Sequence, residues 1–216
     1  MTVRGFFTAQ EGQDSVSLPM SKDGKPCPYV VLDGPKAKRL AGLGLIEADL
    51  EFCYAGVELM LEMDLKEKVN RDHFIVRSAL FSTVVTYGKA FTSAEGRKVH
   101  LDANSVFKEH PSLAKSHREI MDLRHNYIAH SGMGSYEFAK VLLILNPDES
   151  DRRPLTIHGL EIGVSGQKRD TLWEYRAVFA HVLKEVKQMQ KKITSAMKAE
   201  ILAEPIERWY ERAEKP

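Results

Sequence analysis

The sequence predicts a mainly α-helical protein, a bundle of four main helices with a short β-hairpin inserted before the last long helix. Two observations predict this fold. Apolar residues fall on one face at helical spacing in the first, third and fourth of four stretches, and the second stretch is apolar around most of its circumference. Between the third and fourth stretches the period changes to two over short runs rich in β-branched residues, which is typical of a hairpin.

Composition favours a cytoplasmic globular protein. The 216 residues suffice for one domain of ordinary size, and a net charge of +1 excludes an overall basic field for nucleic acid. Cys27 and Cys53 do not form a CxxC pair, so we expect reduced thiols. The N-terminus does not resemble a signal peptide, and no stretch approaches the ~20 apolar residues of a membrane span. We therefore expect no membrane partner and no cofactor.

The first half of the chain divides into an irregular segment and two helices. Residues 1–35 are dense in Gly, Pro and Asp, which favours turns. A helix is predicted over about 36–65. Its apolar stripe comprises Leu43, Ile46, Leu50, Cys53, Val57 and Met60. A second helix, over about 71–90, is apolar around most of its circumference, so we expect it at the centre of the bundle.

The second half contains the remaining elements of the bundle. In chain order they are a short helix at about 103–109, a helix at about 111–131, a hairpin at about 136–164, and a long helix at about 169–203. Pro111 suits the first position of its helix, and the glycines of SGMGS suit the end. Pro205 breaks the last helix. We therefore predict one helical domain over 36–204 and a C-terminal tail over 205–216.

The stretch LRHNYIAHSG ends the third main helix with polar residues in unusual positions. At about 100° per residue, Arg124 projects into the middle of the apolar arc, His117 lies on the same side, and His130 lies on the flank. An unpaired arginine in a dry core is costly. Two interpretations remain open: Arg124 reaches water or pairs with Glu119 or Glu58, or it lines a cleft or a partner surface. His130 is similarly either a helix cap or part of an anion site.

The longer stretch HREIMDLRHNYIAHSG resembles the signature of the HEPN superfamily of helical domains, found in many prokaryotic RNase toxins and defence proteins. Its hallmark is an Arg and a His separated by four to six residues, and Arg124 and His130 match it with five between them, RHNYIAH. A polar residue, often Asn or Asp, usually follows the Arg; here His125 departs from that pattern and Asn126 comes next. The flanking HREIMDLR, IAHS and TYGKAFTS resemble small stand-alone HEPN-like proteins, and the resemblance covers roughly residues 70–165.

The resemblance implies a metal-independent endoribonuclease that acts as a homodimer, with the two motif-helix faces bordering a groove. His130 would be the general acid or base for the RNA 2′-OH, and Arg124 would stabilise charge on the phosphoryl oxygens. The residues predicted to contact substrate are His125, Asn126, Ser131 and His117. The product would carry a 2′,3′-cyclic phosphate. The implied partners are RNA and, for a toxin or defence effector, an unidentified antitoxin.

Three other interpretations stay open on sequence. The first is a non-catalytic HEPN-like module that binds RNA or nucleotide or serves as a scaffold. The second is a metal site, since several potential ligands lie close in the chain: His100, Asp102, His110, His117, His125 and His130. The absence of HxxxH and HExxH spacing disfavours this site, and we predict no metal ligands. The third is a purely structural bundle whose long last helix mediates assembly.

Overall fold

A computed structural model describes residues 21–22, 25–63, 70–93, 99–128, 137–147, 154–163 and 166–213. Within these residues the protein is mainly helical, with a small antiparallel hairpin before the last long helix, as the sequence predicts. The described helices are α1 (Pro35–Glu62), α2 (Asn70–Lys89), α3 (Ala103–Val106), α4 (Pro111–Leu123), a π-helical segment (Arg124–Ile128), α5 (Arg169–Leu202) and α6 (Ile206–Arg212). The strands are β1 (Ser21–Lys22), β2 (Lys25–Pro26), β3 (Glu137–Leu145) and β4 (Pro154–Gly163). In this described part, no helix is both long and apolar enough to cross a membrane.

Helix α1 is the central helix, because it packs along α2 on one side and along α5 on the other. The residues predicted from its periodicity form its buried face: Leu43, Ile46, Leu50, Cys53, Val57 and Met60. The sequence placed α2 at the centre, and this expectation is wrong. Only one face of α2 is buried, so that Phe74 remains 72% exposed and Val85 is also exposed.

Helices α1 and α5 run antiparallel and are joined along their length. Arg176 of α5 pairs with Glu58 of α1, and its guanidinium lies 4.9 Å from the ring centre of Tyr54. Further along, Gln190 donates to Glu47 over 2.9 Å. These polar contacts flank an apolar interface that includes Phe179 and Val182 of α5, both with no exposed surface. The core therefore extends along the α1–α5 contact.

Both ends of the described chain contain more regular structure than the sequence predicts. In the segment expected to be irregular, β1 and β2 form a two-residue ladder. In the expected tail, α5 ends at Leu202 and Pro205 is the N-cap residue of the short helix α6. The indole of Trp209 in α6 donates to the Ile201 carbonyl over 3.2 Å. The tail is thus tied back onto α5.

The predicted hairpin is present and leaves apolar side chains exposed. Strands β3 and β4 pair antiparallel, with Leu143 opposite Ile157 and an irregularity between Ile144 and Leu145. Val141 and Ile157 are 77% and 70% exposed. The hairpin thus contributes little to the helical core.

Candidate functional site

The motif helix changes its winding at Arg124, the first residue of the HEPN-like pair. Helix α4 is α-helical to Leu123, and Arg124–Ile128 form a π-helical segment. The Arg124 amide, at the junction of the two segments, donates to the carbonyls of both Ile120 and Met121, three and four residues earlier. Short π-helical segments are rare and frequently lie at functional sites.

The apolar arc of the motif helix is part of the core of its own chain. Ile120 and Leu123 are almost fully buried, and Tyr127 is 6% exposed. The Tyr127 hydroxyl accepts a hydrogen bond from Arg77 over 3.3 Å, and its ring meets Phe81 edge to face. The described part of this helix therefore has no apolar stripe left for a partner. A homodimer through the motif-helix face would have to use the polar side.

Arg124 lies against the backbone of α2 at Gly88. A Cβ added at position 88 would overlap the Cδ and Nε of Arg124 and would lie 3.2 Å from its Cζ. The lack of a side chain at Gly88 thus makes room for the arginine. Gly88 is the penultimate residue of α2, where the carbonyl end of a helix carries partial negative charge. A guanidinium is electrostatically favoured at this position.

Within the described residues, Arg124 forms no ion pair with a carboxylate. The two acids proposed as partners from the sequence bind other cations: Glu58 pairs with Arg176, and Glu119 lies 3.7 Å from Lys115. The contact seen is to its neighbour, because Nη1 of Arg124 lies 3.4 Å from Nε2 of His125. Arg124 as a residue is half-buried, and no described acid lies at ion-pair distance from its guanidinium.

Two further predicted substrate contacts lie beside Arg124 at the surface. His125 and Asn126 are both exposed. The side-chain amide of Asn126 donates to Asp122, one helical turn earlier, which fixes the orientation of Asn126. Arg124, His125 and Asn126 thus form a polar group at the end of α4. We refer to these three residues as the Arg124 cluster.

His117 occupies a different environment from the cluster. It is 7% exposed, and its Nδ1 lies 2.7 Å from the hydroxyl of Tyr87. Its ring packs against Phe91 and Phe107, at centre distances of 4.5 and 4.8 Å. Burial, together with the nearby Arg118 charge, lowers the pKa of His117 to about 4. Burial also raises the pKa of Tyr87, so the tyrosine donates this hydrogen bond to a neutral imidazole.

The position of His117 favours a structural role over the predicted contact with substrate. Tyr87 and Gly88 are consecutive in α2, and they contact His117 and Arg124 of the motif helix. The buried Tyr87–His117 hydrogen bond therefore fixes the motif helix two turns before Arg124. This hydrogen bond helps to hold Arg124 against Gly88, although His117 itself does not reach the surface.

The other half of the predicted catalytic pair lies outside the described residues. This applies to His130 and to Ser131. The described part of the candidate site therefore consists of Arg124 and its neighbours. The role of His130 stays a prediction from the sequence.

The histidines considered as metal ligands do not converge in the described part of the chain. There, no group of three or more His, Cys, Asp or Glu side chains is arranged to hold a metal ion. Asp102 caps α3 by accepting from the amides of Asn104 and Ser105. The His110 ring lies 4.4 Å from that of His181, whose Nε2 lies 2.9 Å from the Val106 carbonyl.

Sequence reasoning missed Gly88, although it lies inside the TYGKAFTS segment. The available signal was a glycine in an apolar helix, which weakens the helix by roughly 1 kcal/mol relative to alanine and therefore usually has a packing or functional reason. What the sequence does not reveal is which side chain fills the space. Comparison of the chain with protein-family models, curated proteins and solved structures finds no match. The HEPN resemblance therefore stays a prediction from the motif.

Proposed function

We propose that the protein is a metal-independent endoribonuclease of the HEPN type. The observation that supports this function best is the placement of Arg124, a half-buried cation beside Gly88 with no carboxylate partner among the described residues. A guanidinium in this state is available to an anionic ligand, and it can donate to two phosphoryl oxygens at once. The exposed His125 and Asn126 supply further polar groups at the same helix end.

In the proposed mechanism, His130 removes the proton of the RNA 2′-OH, which attacks the adjacent phosphorus and expels the 5′-oxygen of the next nucleotide. A proton returned to that oxygen completes the cleavage and leaves a 2′,3′-cyclic phosphate. Arg124 stabilises the charge that develops on the non-bridging oxygens. Its fixed position against Gly88 reduces the reorganisation needed during the reaction. A role as a toxin or defence effector with an antitoxin partner, and a cytoplasmic location, belong to the same proposal.

The test compares the wild type with Arg124→Ala and His130→Ala on total RNA in EDTA, followed by mapping of the fragment ends. We expect cyclic-phosphate ends from the wild type and a loss of cleavage by at least about 100-fold in each variant. Arg118→Ala is a matched control, because Arg118 is an exposed arginine on the same helix. Equal cleavage by Arg118→Ala and Arg124→Ala would contradict the proposal.

One observation favours the alternative, a module that binds RNA or nucleotide without cleaving it. Position 125 holds a histidine where the HEPN pattern usually has Asn or Asp, and this His125 contacts Arg124 directly. In that case the folded wild type binds RNA without cutting it. Arg124→Ala then weakens binding, and Arg118→Ala has a smaller effect.

A further inference from the structure

Helix α1 carries a second apolar stripe that is exposed to solvent, opposite the buried stripe described above. We call it the α1 seam. Its members, at alternating steps of four and three, are Ala41, Leu45, Ala48, Phe52, Ala55 and Leu59. All six are exposed, and the large members Leu45, Phe52 and Leu59 retain 56%, 50% and 43% of their surface.

A helix with apolar stripes on two opposite sides normally buries both of them. Helix α1 is covered by α2 and α5, and none of the described elements covers the seam. The spacing of the seam is the heptad spacing by which two helices pack side by side. At 1.5 Å per residue, the stretch from Ala41 to Leu59 is about 27 Å long. The seam is therefore an extended surface suited to another helix.

Small and large residues alternate strictly along the seam, which makes it complementary to itself in one orientation. When two copies of α1 pack antiparallel, Ala41 faces the partner's Leu59, Leu45 faces the partner's Ala55, and Ala48 faces the partner's Phe52. Every layer then combines one large side chain with one alanine. In a parallel pair, Phe52 would face the partner's Phe52, and each alanine would face the same alanine. Crowded layers would then alternate with layers that leave voids.

Charge extends the same complementarity beyond the apolar layers. The heptad positions before and after the seam are Lys38 and Glu62, both exposed. In the antiparallel pair, Lys38 faces the partner's Glu62 at each end. Lys38 lies 3.0 Å from Asp33 of its own chain, but these two side chains are 70% and 78% exposed, so this contact is readily exchanged.

The surroundings of the seam accommodate a second copy. Between α1 and α5 lies an open groove of about 710 Å³, whose lining includes Ala55 of the seam, Ala180 and Leu183, and also three lysines of α5, Lys184, Lys187 and Lys191. The partner's Leu45, which faces Ala55, would lie at the edge of this groove. Near the middle of the seam, Glu51 lies 3.8 Å from Lys187 of α5. The charge of this acid is therefore balanced within each copy. Since α1 is already a folded helix, pairing requires little ordering.

We propose that the α1 seam is the interface of a homodimer in which two α1 helices pack antiparallel. The proposal does not rest on the ribonuclease function, because the seam lies on α1 and the Arg124 cluster lies at the end of α4. A second copy of this chain is favoured as the occupant by the large-against-small layers and by the terminal charge pairs.

The first test measures molar mass against concentration for the full chain by light scattering and sedimentation equilibrium. We expect a dimer at micromolar concentration, and we expect Phe52→Glu to weaken it by about 100-fold or more, since each dimer loses two central side chains. Phe74→Glu is the matched control, because Phe74 is 72% exposed on α2, outside the seam, and should leave the dimer intact. A monomeric wild type, or a dimer unaffected by Phe52→Glu, would overturn the proposal.

The second test establishes the orientation by charge reversal. Lys38→Glu and Glu62→Lys should each weaken the dimer, and the double variant should restore it, because both end pairs regain opposite charges. In a parallel pair each residue would face its own copy, so the double variant would gain nothing. Failure of the double variant to recover would overturn the antiparallel arrangement. These readouts are molar masses, so they are independent of whether the protein cleaves RNA.

Discussion

The contact between Arg124 and Gly88 can be tested by adding a single methyl group. Gly88→Ala places a Cβ where the Cδ and Nε of Arg124 now lie. Two opposing contributions follow. Alanine is favoured over glycine in a helix by roughly 0.5–1 kcal/mol. Crowding a packed site costs about 1–3 kcal/mol when the neighbours cannot move away.

The two contributions can be separated with a double-mutant cycle. In the wild type we expect Gly88→Ala to lower the free energy of unfolding by about 1 kcal/mol, because the crowding exceeds the gain in helix propensity. In an Arg124→Ala background the obstructing side chain is absent. The same substitution should then raise the free energy of unfolding by up to about 1 kcal/mol. The coupling between the two positions is therefore about 2 kcal/mol.

Urea unfolding followed by circular dichroism measures all four proteins of the cycle. Gly44→Ala in α1 is the matched control, because a Cβ at Gly44 meets no atom within 4 Å and reports helix propensity alone. If Gly88→Ala raised stability equally in both backgrounds, as Gly44→Ala should, then Arg124 would not be held against Gly88, because its flexible side chain would have moved aside at no cost. The candidate site would then lack the contact that fixes Arg124. A parallel assay on RNA would show whether displacing Arg124 also weakens binding or cleavage.

Three further predictions concern buried groups. Burial lowers the pKa of His117 to about 4, so between pH 6.5 and 4 the unfolded chain binds a proton that the folded chain does not. The free energy of unfolding should therefore fall by roughly 3 kcal/mol as the pH falls from 6.5 towards 4, and the neutral imidazole contributes fully above pH 6.5. Urea unfolding at several pH values should show a flatter profile for His117→Gln between pH 6.5 and 5. The hydroxyl of Thr83 is buried with no hydrogen-bond partner among the described residues, so Thr83→Val should raise the free energy of unfolding by about 1 kcal/mol; Thr92→Val, which removes a hydroxyl that donates to a carbonyl over 2.8 Å, should lower it. An unchanged or lower stability of Thr83→Val would contradict this reasoning. Finally, Cys53 is fully buried and burial raises its pKa, whereas Cys27 is half-buried, so a thiol reagent should modify Cys27 quickly in the native protein and Cys53 only on unfolding.

Local periodicity predicted most helices because the signal is repeated along each of them. The stripe that contains Leu50 and Val57 places α1 correctly, and the expected bounds of α5, about 169–203, agree with Arg169–Leu202. Helix α6 was missed because Pro205 can end one helix and begin another, and the residues after it decide which. The central position of α1 depends on which faces pack together, and periodicity within one helix does not contain that information.

The Arg124 cluster was predictable in part, for the same reason. Its residues are adjacent in the chain, and the motif identifies them. The projection placed Arg124 and His117 on one side of a helix, but tertiary contacts separate their environments: His117 faces Tyr87 inside the core, and Arg124 faces the bare backbone of Gly88. A regular α-helical projection also cannot anticipate the π-helical segment, because the projection assumes one constant rotation per residue.

These contacts link the stability of the bundle to the geometry of the candidate site. The Tyr87–His117 hydrogen bond and the contact between Gly88 and Arg124 come from consecutive residues of α2, so any shift of α2 relative to α4 disturbs both. Protonation of His117 would charge a buried ring and weaken the first contact. A loss of Arg124 function on acidification would then reflect this structural histidine as well as the proposed base His130. The His117→Gln variant distinguishes the two histidines. If the loss of activity at acidic pH comes from His130 alone, the same loss persists in this variant.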